Sequence, residues 1–210
     1  MPKTNAFSTP KGWIEVICGP MFSGKSEELL RRLNRLKYAD VNFLLFKPRI
    51  DTRTKKTVKS RDGRKNTAIT VDSSSEIVQY LSKHGSEVPV IGIDEAQFFD
   101  EEIGNICELL ANNGHIIYVA GLDLDFRGEP FKSMLAVLAY AEKTTKLTAI
   151  CTECGAPATR TQRLIDGEPA SYYSSLIKVG DVEKYTARCR HHHVVKDKPT
   201  SKYHFDIDNK

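Results

Sequence analysis

The sequence predicts an α/β fold in which a mostly parallel sheet is covered by helices on both faces. Short apolar segments rich in β-branched residues alternate with segments whose apolar residues recur at helical spacing, as far as about residue 147. The strand segments are apolar on both faces, which is typical of strands buried inside a parallel sheet. From Cys151 onward no long helical pattern occurs, and Gly, Pro, Tyr, Cys and His interrupt short segments. We therefore predict an α/β domain followed by a small second domain.

The strands are recognised as short apolar runs bounded by turn residues. The first run, 13–18, is followed at once by Gly19 and Pro20, which indicates a strand that enters a loop. A nearly continuous apolar run at 88–94 ends in the acidic residue Asp94. The other strands are expected at 42–46, 68–71 and 116–120.

The helices are recognised by apolar residues three or four positions apart. Between 26 and 38 one face of the predicted helix is apolar and the opposite face carries Arg and Lys. The apolar face consists of Leu29, Leu30, Leu33 and Leu36. Further helices are expected at 75–84, 101–112 and 131–143. The stretch 47–66 is basic and poor in apolar residues, so we predict a mobile surface loop there.

These patterns divide the chain into four parts. A short flexible tail is expected at residues 1–12, and the α/β domain at 13–148. The second domain is expected at 149–195, and a polar, loosely held tail at 196–210.

Composition excludes several classes of protein. The 210 residues are 40% hydrophobic and 28% charged, which is typical of a globular chain and not of a disordered one. A formal net charge of +4 is too weak to indicate nucleic-acid binding. No segment approaches the roughly 18–20 consecutive apolar residues of a membrane helix, and the N-terminus lacks a signal peptide's apolar core. Five cysteines, an odd number, argue against a disulfide scaffold, so we expect a cytoplasmic protein.

A motif for nucleoside triphosphates lies between the first strand and the first helix. The pattern G-x-x-x-x-G-K-[ST] is matched by Gly19, Pro20, Met21, Phe22, Ser23, Gly24, Lys25 and Ser26. Its glycines permit a tight turn, and its backbone N–H groups with the helix N-terminus form an anion cradle. We expect Lys25 to contact the β- and γ-phosphates and the Ser26 hydroxyl to bind Mg²⁺. A Gly-rich turn that fits the pattern by chance is the structural alternative.

Two adjacent carboxylates stand at the end of the strand predicted within 88–94, and ligands of open α/β sheets bind at this edge of the sheet. Asp94 fits the acid that holds Mg²⁺ through its water shell, which leaves Glu95 as a general base for an attacking oxygen. The structural alternatives are a turn acid for Asp94 and a solvated neighbour for Glu95. The spacing does not distinguish a base for water, in an ATPase, from a base for a substrate hydroxyl, in a kinase.

The second domain carries two pairs of metal-ligating residues. Cys151 and Cys154 form a CxxC, and Cys189 and His192 form a CxxH after 34 intervening residues. Four such ligands suit one structural, tetrahedral Zn²⁺, which would fix the base of the long loop between them. A redox CxxC is the rival, but it belongs at the start of a helix in a thioredoxin-like unit, which the pattern lacks.

The fourth ligand is ambiguous because three histidines are consecutive. The symmetry of the two spacings favours His192 over His191 and His193. Of the other cysteines, Cys18 and Cys107 are predicted to be buried in the core.

Two further segments identify a known family. Residues 94–99 have the sequence DEAQFF, and residues 122–131 have the sequence LDLDFRGEPF. With the phosphate loop and the Cys pairs, in this order from about Trp13 to His192, the chain resembles the type II thymidine kinases. The resemblance implies a RecA-like phosphate-loop domain and a small zinc-bound domain whose long loop, the lasso, closes over thymidine. It also implies transfer of the γ-phosphoryl group of ATP to the 5′-hydroxyl of thymidine or deoxyuridine, with Mg²⁺.

The resemblance also implies roles for individual residues. Glu95 matches the catalytic base, Ser26 and Asp94 match the magnesium-side residues, and Ala96 with Gln97 completes a nucleotide-binding segment. Asp51 and Arg53 match a loop near the phosphates. Positions that enclose the nucleoside are matched by Met21, Phe98, Leu122, Phe126 and Phe131. Lasso positions, where the family reads the base mostly by main-chain hydrogen bonds, are matched by Thr161, Arg163, Val179, Gly180 and Tyr185. Ordinary core packing is the alternative for Phe126 and Phe131. The family is usually tetrameric and is inhibited by thymidine triphosphate.

The chain departs from the family pattern in two places. Thr54 follows Arg53 where an aromatic residue is common, and a CxxH replaces the commoner second CxxC. A functional alternative is a RecA-like ATPase whose zinc module binds nucleic acid or a protein. A pure zinc-binding adaptor conflicts with an intact Lys25, Ser26 and Asp94.

Overall fold

The computed structural model describes residues 12–51, 57–59, 65–84, 87–176 and 184–200. The described strands are β1 (Trp13–Cys18), β2 (Phe43–Pro48), β3 (Thr57–Lys59), β4 (Lys65–Thr67), β5 (Ile69–Val71), β6 (Val90–Ile93), β7 (Ile116–Gly121), β8 (Lys143–Lys146), β9 (Ala149–Ile150), β10 (Pro157–Ala158), β11 (Arg160–Ile165), β12 (Glu168–Pro169) and β13 (Lys184–Arg188). The described α-helices are α1 (Lys25–Leu36), α2 (Ser74–His84), α3 (Ile103–Asn112) and α4 (Lys132–Tyr140). Short 3₁₀ turns lie at Lys37–Ala39 and Ala96–Phe98.

A six-stranded sheet forms the centre of the α/β part. Its strand order is β5-β2-β6-β7-β1-β8, and every pairing in it is parallel. The predicted parallel sheet is therefore confirmed. Because β7 lies between β1 and β6, the loops that follow these three strands leave the same edge of the sheet side by side.

Helices cover both faces of this sheet. Leu29, Leu30 and Leu33 of α1 pack on one face, beside Leu45 of β2 and Ile17 of β1. The other face is covered by α2, α3 and α4, whose buried residues include Ile77, Ile103, Met134 and Val137. The predicted core positions Cys18 and Cys107 lie in this second cluster, and burial raises the pKa of the Cys107 thiol to about 12. No α-helix among the described residues is long and apolar enough to cross a membrane.

The structure corrects the predicted helix at 131–143. The helix α4 ends at Tyr140, and the edge strand β8 begins at Lys143. Among the described residues this strand pairs with β1 alone, and its side chains are mostly exposed. Its sequence Lys-Thr-Thr-Lys contains no apolar residue, so it gave no apolar signal of a strand. Lysines on an edge strand also oppose pairing with another chain.

The predicted loop at 47–66 is also corrected. Lys47 and Pro48 are the last residues of β2, and β3 pairs with β4 as an antiparallel hairpin. The Lys47 side chain is only 1% exposed, and its ammonium donates to the backbone carbonyl of Asp51 at 3.2 Å. A buried lysine inside a basic stretch has no distinguishing sequence pattern. The mobility of this stretch stays a prediction.

The part after β8 has two small sheets. The strands β9 and β10 form a hairpin, and β11 lies between β12 and β13 in an antiparallel sheet. Its buried cluster is small and consists of Ala149, Cys151, Ala158, Ala187 and Cys189. Lys196, at the start of the predicted C-terminal tail, donates its N–H to Ala170 and accepts from Tyr172. The domain boundary near residue 148 stays a prediction.

Candidate active site

The phosphate loop turns sharply between β1 and α1. Gly19 and Gly24 have φ angles of 142° and 82°, which glycine adopts without strain. A Cβ on Gly19 would lie 2.4 Å from the backbone oxygen of Leu147, so no side chain fits there. Phe22 also has a positive φ, 68°, and its side chain is half exposed. These backbone angles form the tight turn that the motif predicts.

Two donors of this loop converge on one carbonyl. The Lys25 ammonium donates to the Pro20 oxygen at 2.6 Å, and the Ser23 hydroxyl donates to the same oxygen at 2.8 Å. The residue before α1, Gly24, offers no side-chain cap to the first N–H groups of the helix. A helix N-terminus of this kind, with a lysine beside it, favours bound phosphate.

Asp94 lies where β6 ends, next to the phosphate loop. The Ser26 hydroxyl lies 3.0 and 3.2 Å from its two oxygens, and the backbone N–H of Glu95 donates to it at 3.0 Å. Burial, followed by the negative charge of Glu95, raises the pKa of Asp94 to about 7, although the Ser26 hydrogen bond and Lys25 oppose this rise. Hydroxyl and carboxylate oxygens are ligands that Mg²⁺ prefers, so Ser26 and Asp94 fit that ion.

Glu95 is held in place by Gln97. Glu95 adopts a left-handed backbone conformation, with φ 54°, and so leaves the line of β6. The Gln97 amide donates to a Glu95 carboxylate oxygen at 2.5 Å, and its own oxygen accepts the N–H of Leu122 at 2.9 Å. Gln97 is only 4% exposed. The carboxylate is therefore oriented by an amide that is fixed to the end of β7.

Several residues expected around the nucleoside are in contact. The N–H of Met21 donates to the Thr161 hydroxyl at 3.0 Å, which joins the phosphate loop to β11. The Arg163 guanidinium is 1% exposed and lies over the Phe126 ring, 5.0 Å from its centroid. Arg163 is also the register partner of Tyr185 on β13.

The remaining expected positions lie in the core, in the turn after Glu95, just after β2 or outside the described residues. Phe131 packs in the core cluster of α3 and α4, and Leu122 packs against the same cluster. Phe98 is half-buried in the 3₁₀ turn after Glu95. Asp51 is held by Lys47, whose ammonium lies 3.4 Å from its carboxylate. Arg53, Val179 and Gly180 lie outside the described residues.

Four predicted metal ligands come together at the base of the second part. The ligand atoms of Cys151, Cys154, Cys189 and His192 all lie within 4.8 Å of one another. The His192 Nδ1 lies 3.3 Å from the Cys189 sulfur and 3.8 Å from the Cys151 sulfur, and the sulfurs of Cys154 and Cys189 are 3.9 Å apart. Tetrahedral zinc separates such atoms by roughly 3.5–3.8 Å, so this set fits the ion.

The neighbouring histidines are directed elsewhere. His191 is exposed and is not part of the cluster. The His193 Nε2 lies 2.9 Å from the backbone oxygen of Phe126, so this ring contacts the loop after β7.

The surroundings of the Cys151 thiol favour its ionised form. Burial raises the pKa of this thiol, but hydrogen bonds from the backbone of Cys189, Glu153 and Cys154 outweigh the effect of burial and lower the pKa to about 6. A lowered thiol pKa favours the thiolate that a metal needs.

Sequence reasoning missed a set of contacts between the loop after β7 and the segment after β12. The Arg127 guanidinium donates to the Ser174 carbonyl at 2.8 Å, and the Tyr172 hydroxyl donates to Glu129 at 2.8 Å. These residues are more than 40 positions apart in the chain, and no local pattern indicates the pairing. The one indication in the sequence was that two charged residues, Arg127 and Glu129, lie within the segment LDLDFRGEPF.

The comparisons with known proteins agree over nearly the whole chain. The family described as "Thymidine kinase" matches residues 12–193. A thymidine kinase of Ureaplasma urealyticum serovar 10 is 52% identical over 201 residues, which cover 95% of this chain and 90% of the relative. A thymidine kinase of Mycoplasmoides gallisepticum is 50% identical over 200 residues, covering 95% and 88% of the two chains.

Two solved structures show a more distant likeness. The Legionella pneumophila ATPase DotB has a TM-score of 0.42 and 14% identity, over 71% of this chain and 44% of that one. The genome packaging NTPase B204 of Sulfolobus turreted icosahedral virus 2, in complex with ATP-gammaS, has a TM-score of 0.44 and 14% identity, over 68% and 76%. At these TM-scores neither likeness bears on how this chain works.

Proposed function

This chain belongs to the thymidine kinase family, and from that premise we propose how its own residues phosphorylate thymidine with ATP. The observation that carries the proposal is the oriented carboxylate of Glu95 beside the pair formed by Ser26 and Asp94. A second carboxylate next to a magnesium-side acid has the position required of a general base for phosphoryl transfer.

The phosphates of ATP are assigned to the loop 19–26 and the first turn of α1. When ATP binds, the Lys25 ammonium gives up its hydrogen bond to the Pro20 carbonyl and donates to the β- and γ-phosphates instead. The N–H groups at the start of α1 face the same phosphates. The Ser26 hydroxyl would bind Mg²⁺, and Asp94 would hold the ion through its water shell. The bound ion would neutralise charge on the phosphates. Asp51 and Arg53 are assigned to the phosphate side on the resemblance alone.

Glu95 accepts the proton of the nucleoside 5′-hydroxyl. As that proton moves to the carboxylate, the 5′-oxygen forms its bond to the γ-phosphorus. The bond between the γ-phosphorus and the bridging oxygen of ATP breaks, and ADP leaves with the electron pair. Gln97 holds one carboxylate oxygen, so the other oxygen has a defined direction.

The nucleoside is assigned to the space between the phosphate loop and β11. The bond between Met21 and Thr161 brings these two elements together, and Phe126 with Arg163 forms an adjacent wall. Phe98, Leu122, Phe131 and Tyr185 are retained as pocket residues, and Val179 and Gly180 as lasso residues that read the base through their main chain. Closure over the nucleoside excludes water, which otherwise competes for the γ-phosphoryl group.

One structural Zn²⁺ per chain is assigned to Cys151, Cys154, Cys189 and His192. The distances between these ligands support the assignment. Because these ligands lie directly after β9, in the CxxC turn and after β13, a bound ion would hold the three segments together at the base of the lasso. We also propose that 13–148 and 149–195 are separate domains.

Three further properties are proposed. A homotetramer and feedback inhibition by thymidine triphosphate rest on the family resemblance, and a cytoplasmic location rests on the use of cysteine. Gel filtration with light scattering, and inhibition measured against ATP and thymidine, test the first two directly.

The experiment that tests the function uses a panel of nucleosides. Purified protein is incubated with Mg·ATP and thymidine, deoxyuridine, deoxycytidine or uridine, and nucleoside monophosphate and ADP are quantified together. We expect thymidine monophosphate and ADP in equal amounts, and loss of both in Lys25→Ala. Lys132→Ala, which removes an exposed lysine of α4, is the matched control and should retain activity. ATP consumption without any nucleoside product would instead support the ATPase alternative.

A further inference from the structure

A column of cationic and aromatic side chains joins the loop after β7 to the segment after β12. We call Arg163, Phe126, Arg127 and Tyr172 the arginine stack. The guanidinium carbons of Arg163 and Arg127 lie over the Phe126 ring, 5.0 and 5.3 Å from its centroid. Arg127 also lies over the Tyr172 ring, 5.0 Å from that centroid. Contacts of this kind are stronger where water is excluded from them.

Both arginines of the stack also bind the backbone of one segment. Arg127 Nη2 donates to the Ser174 carbonyl at 2.8 Å, and Arg163 Nη1 donates to the Ser175 carbonyl at 2.5 Å. Two consecutive carbonyls are therefore held from β11 and from the loop after β7. The Tyr172 hydroxyl donates to Glu129 at 2.8 Å, which adds a third contact between the segment and this loop.

The backbone of Arg127 is itself fixed within its loop. Its N–H and that of Glu129 donate to one Asp125 oxygen, at 2.8 and 2.9 Å. Its carbonyl accepts the ammonium of Lys198 at 2.7 Å. These hydrogen bonds hold the backbone of Arg127 in place, and this in turn restricts where its guanidinium lies relative to the Phe126 ring.

We propose that Arg127 is a positioning residue for the nucleoside. It holds the Phe126 ring and the segment 171–175 against Arg163, so that this wall of the pocket is formed before the nucleoside arrives. The inference rests on the proposed function, because Phe126 and Arg163 are the residues assigned there to the nucleoside. A pre-formed wall improves affinity because less conformational freedom is lost on binding.

The proposal requires an effect on one substrate only. The ATP phosphates are assigned to the loop 19–26, and none of the described contacts of the Arg127 side chain is with that loop. Loss of Arg127 should therefore raise KM for thymidine and leave KM for ATP unchanged. A residue that only stabilises the fold would affect both substrates and the thermal midpoint together.

The test compares Arg127→Ala and Arg127→Lys with the wild-type protein. We expect KM for thymidine to rise about tenfold in Arg127→Ala, which corresponds to about 1.4 kcal/mol, with KM for ATP within about twofold. Arg127→Lys keeps the charge but loses the planar fork, so it should recover only part of the affinity. Arg49→Ala, which removes an exposed arginine paired with Asp72, is the matched control and should change neither KM.

Coupling to Tyr172 gives a second readout. If both residues act through one wall, Tyr172→Ala should weaken thymidine binding less in the Arg127→Ala background than in the wild type. An unchanged thymidine KM in Arg127→Ala overturns the proposal. Equal increases in both KM values, together with a lowered thermal midpoint, also overturn it. If the wild-type protein forms no thymidine monophosphate in the same assay, the proposed function itself fails, and the two failures are thereby distinguished.

Discussion

Replacing His192 by alanine is expected to weaken zinc binding by about two orders of magnitude. Its Nδ1 lies 3.3 and 3.8 Å from the sulfurs of Cys189 and Cys151, as expected for a ligand of the same tetrahedral ion. Structural zinc sites with four ligands bind with roughly 10–16 kcal/mol of apparent free energy. The loss of one ligand in four therefore costs about 3 kcal/mol, which is about a hundredfold in Kd.

The adjacent histidines provide matched controls in the same sequence. His191 is exposed and outside the cluster, and the His193 ring contacts the backbone oxygen of Phe126. His191→Ala and His193→Ala should keep one zinc per chain. We would measure metal content by mass spectrometry and Kd by competition with a chromogenic chelator. Equal zinc loss in all three variants would refute the assignment of His192.

Removal of the metal has a further expected consequence. Among the described residues, the buried cluster around the ligands consists of three alanines and two cysteines, and these small side chains offer little apolar area to stabilise the second part. Chelation should therefore make the chain after residue 149 sensitive to protease and raise KM for thymidine more than KM for ATP. A thymidine KM that is unchanged after zinc removal would contradict this reasoning.

Three substitutions in the α/β part give further predictions. Gln97→Ala removes the hydrogen bond that orients the Glu95 carboxylate. Steady-state kinetics should show a kcat about 10²-fold lower, with little change in KM for ATP. An unchanged kcat would show that Gln97 does not orient the base. Gly104→Ala favours the helix by about 1 kcal/mol, but its Cβ would lie 2.3 Å from that of Ala136. The net result should be about 1–3 kcal/mol lower unfolding free energy in urea, and a stabilised variant would show that α3 and α4 can separate at no cost. Lys47→Ala removes a buried cation beside Asp51 and should lower that free energy by about 3–5 kcal/mol, whereas an effect below about 1 kcal/mol would contradict a buried ion pair.

Local sequence patterns predicted the sheet and the phosphate side of the site because their signals are contiguous. The apolar strands β1, β6 and β7 are buried on both faces, and the phosphate loop is defined by its own glycines and lysine. Once the sheet is parallel, the ends of β1 and β6 lie at one edge, so the proximity of Ser26 and Asp94 follows.

Contacts between distant segments were not predictable from local patterns. The edge strand β8 has no apolar alternation, and the buried Lys47 resembles the other basic residues around it. Phe131 packs in the core cluster, and its assignment to the nucleoside stays a prediction, because a phenylalanine at the start of an apolar helix is compatible with both roles. The arginine stack joins Phe126 to Arg163 and Arg127 to Tyr172, and a single sequence does not connect pairs that are 37 and 45 positions apart.

The central claim is that Glu95 is the general base that accepts the proton of the thymidine 5′-hydroxyl as the γ-phosphoryl group is transferred to it. The most direct test measures thymidine monophosphate formation by wild-type protein and by Glu95→Gln, with the Kd values for ATP and thymidine determined in parallel. The account predicts product from the wild type, a kcat about 10²–10⁴-fold lower in Glu95→Gln, and both Kd values within about threefold. A Glu95→Gln variant that forms thymidine monophosphate at nearly the wild-type rate would contradict the account.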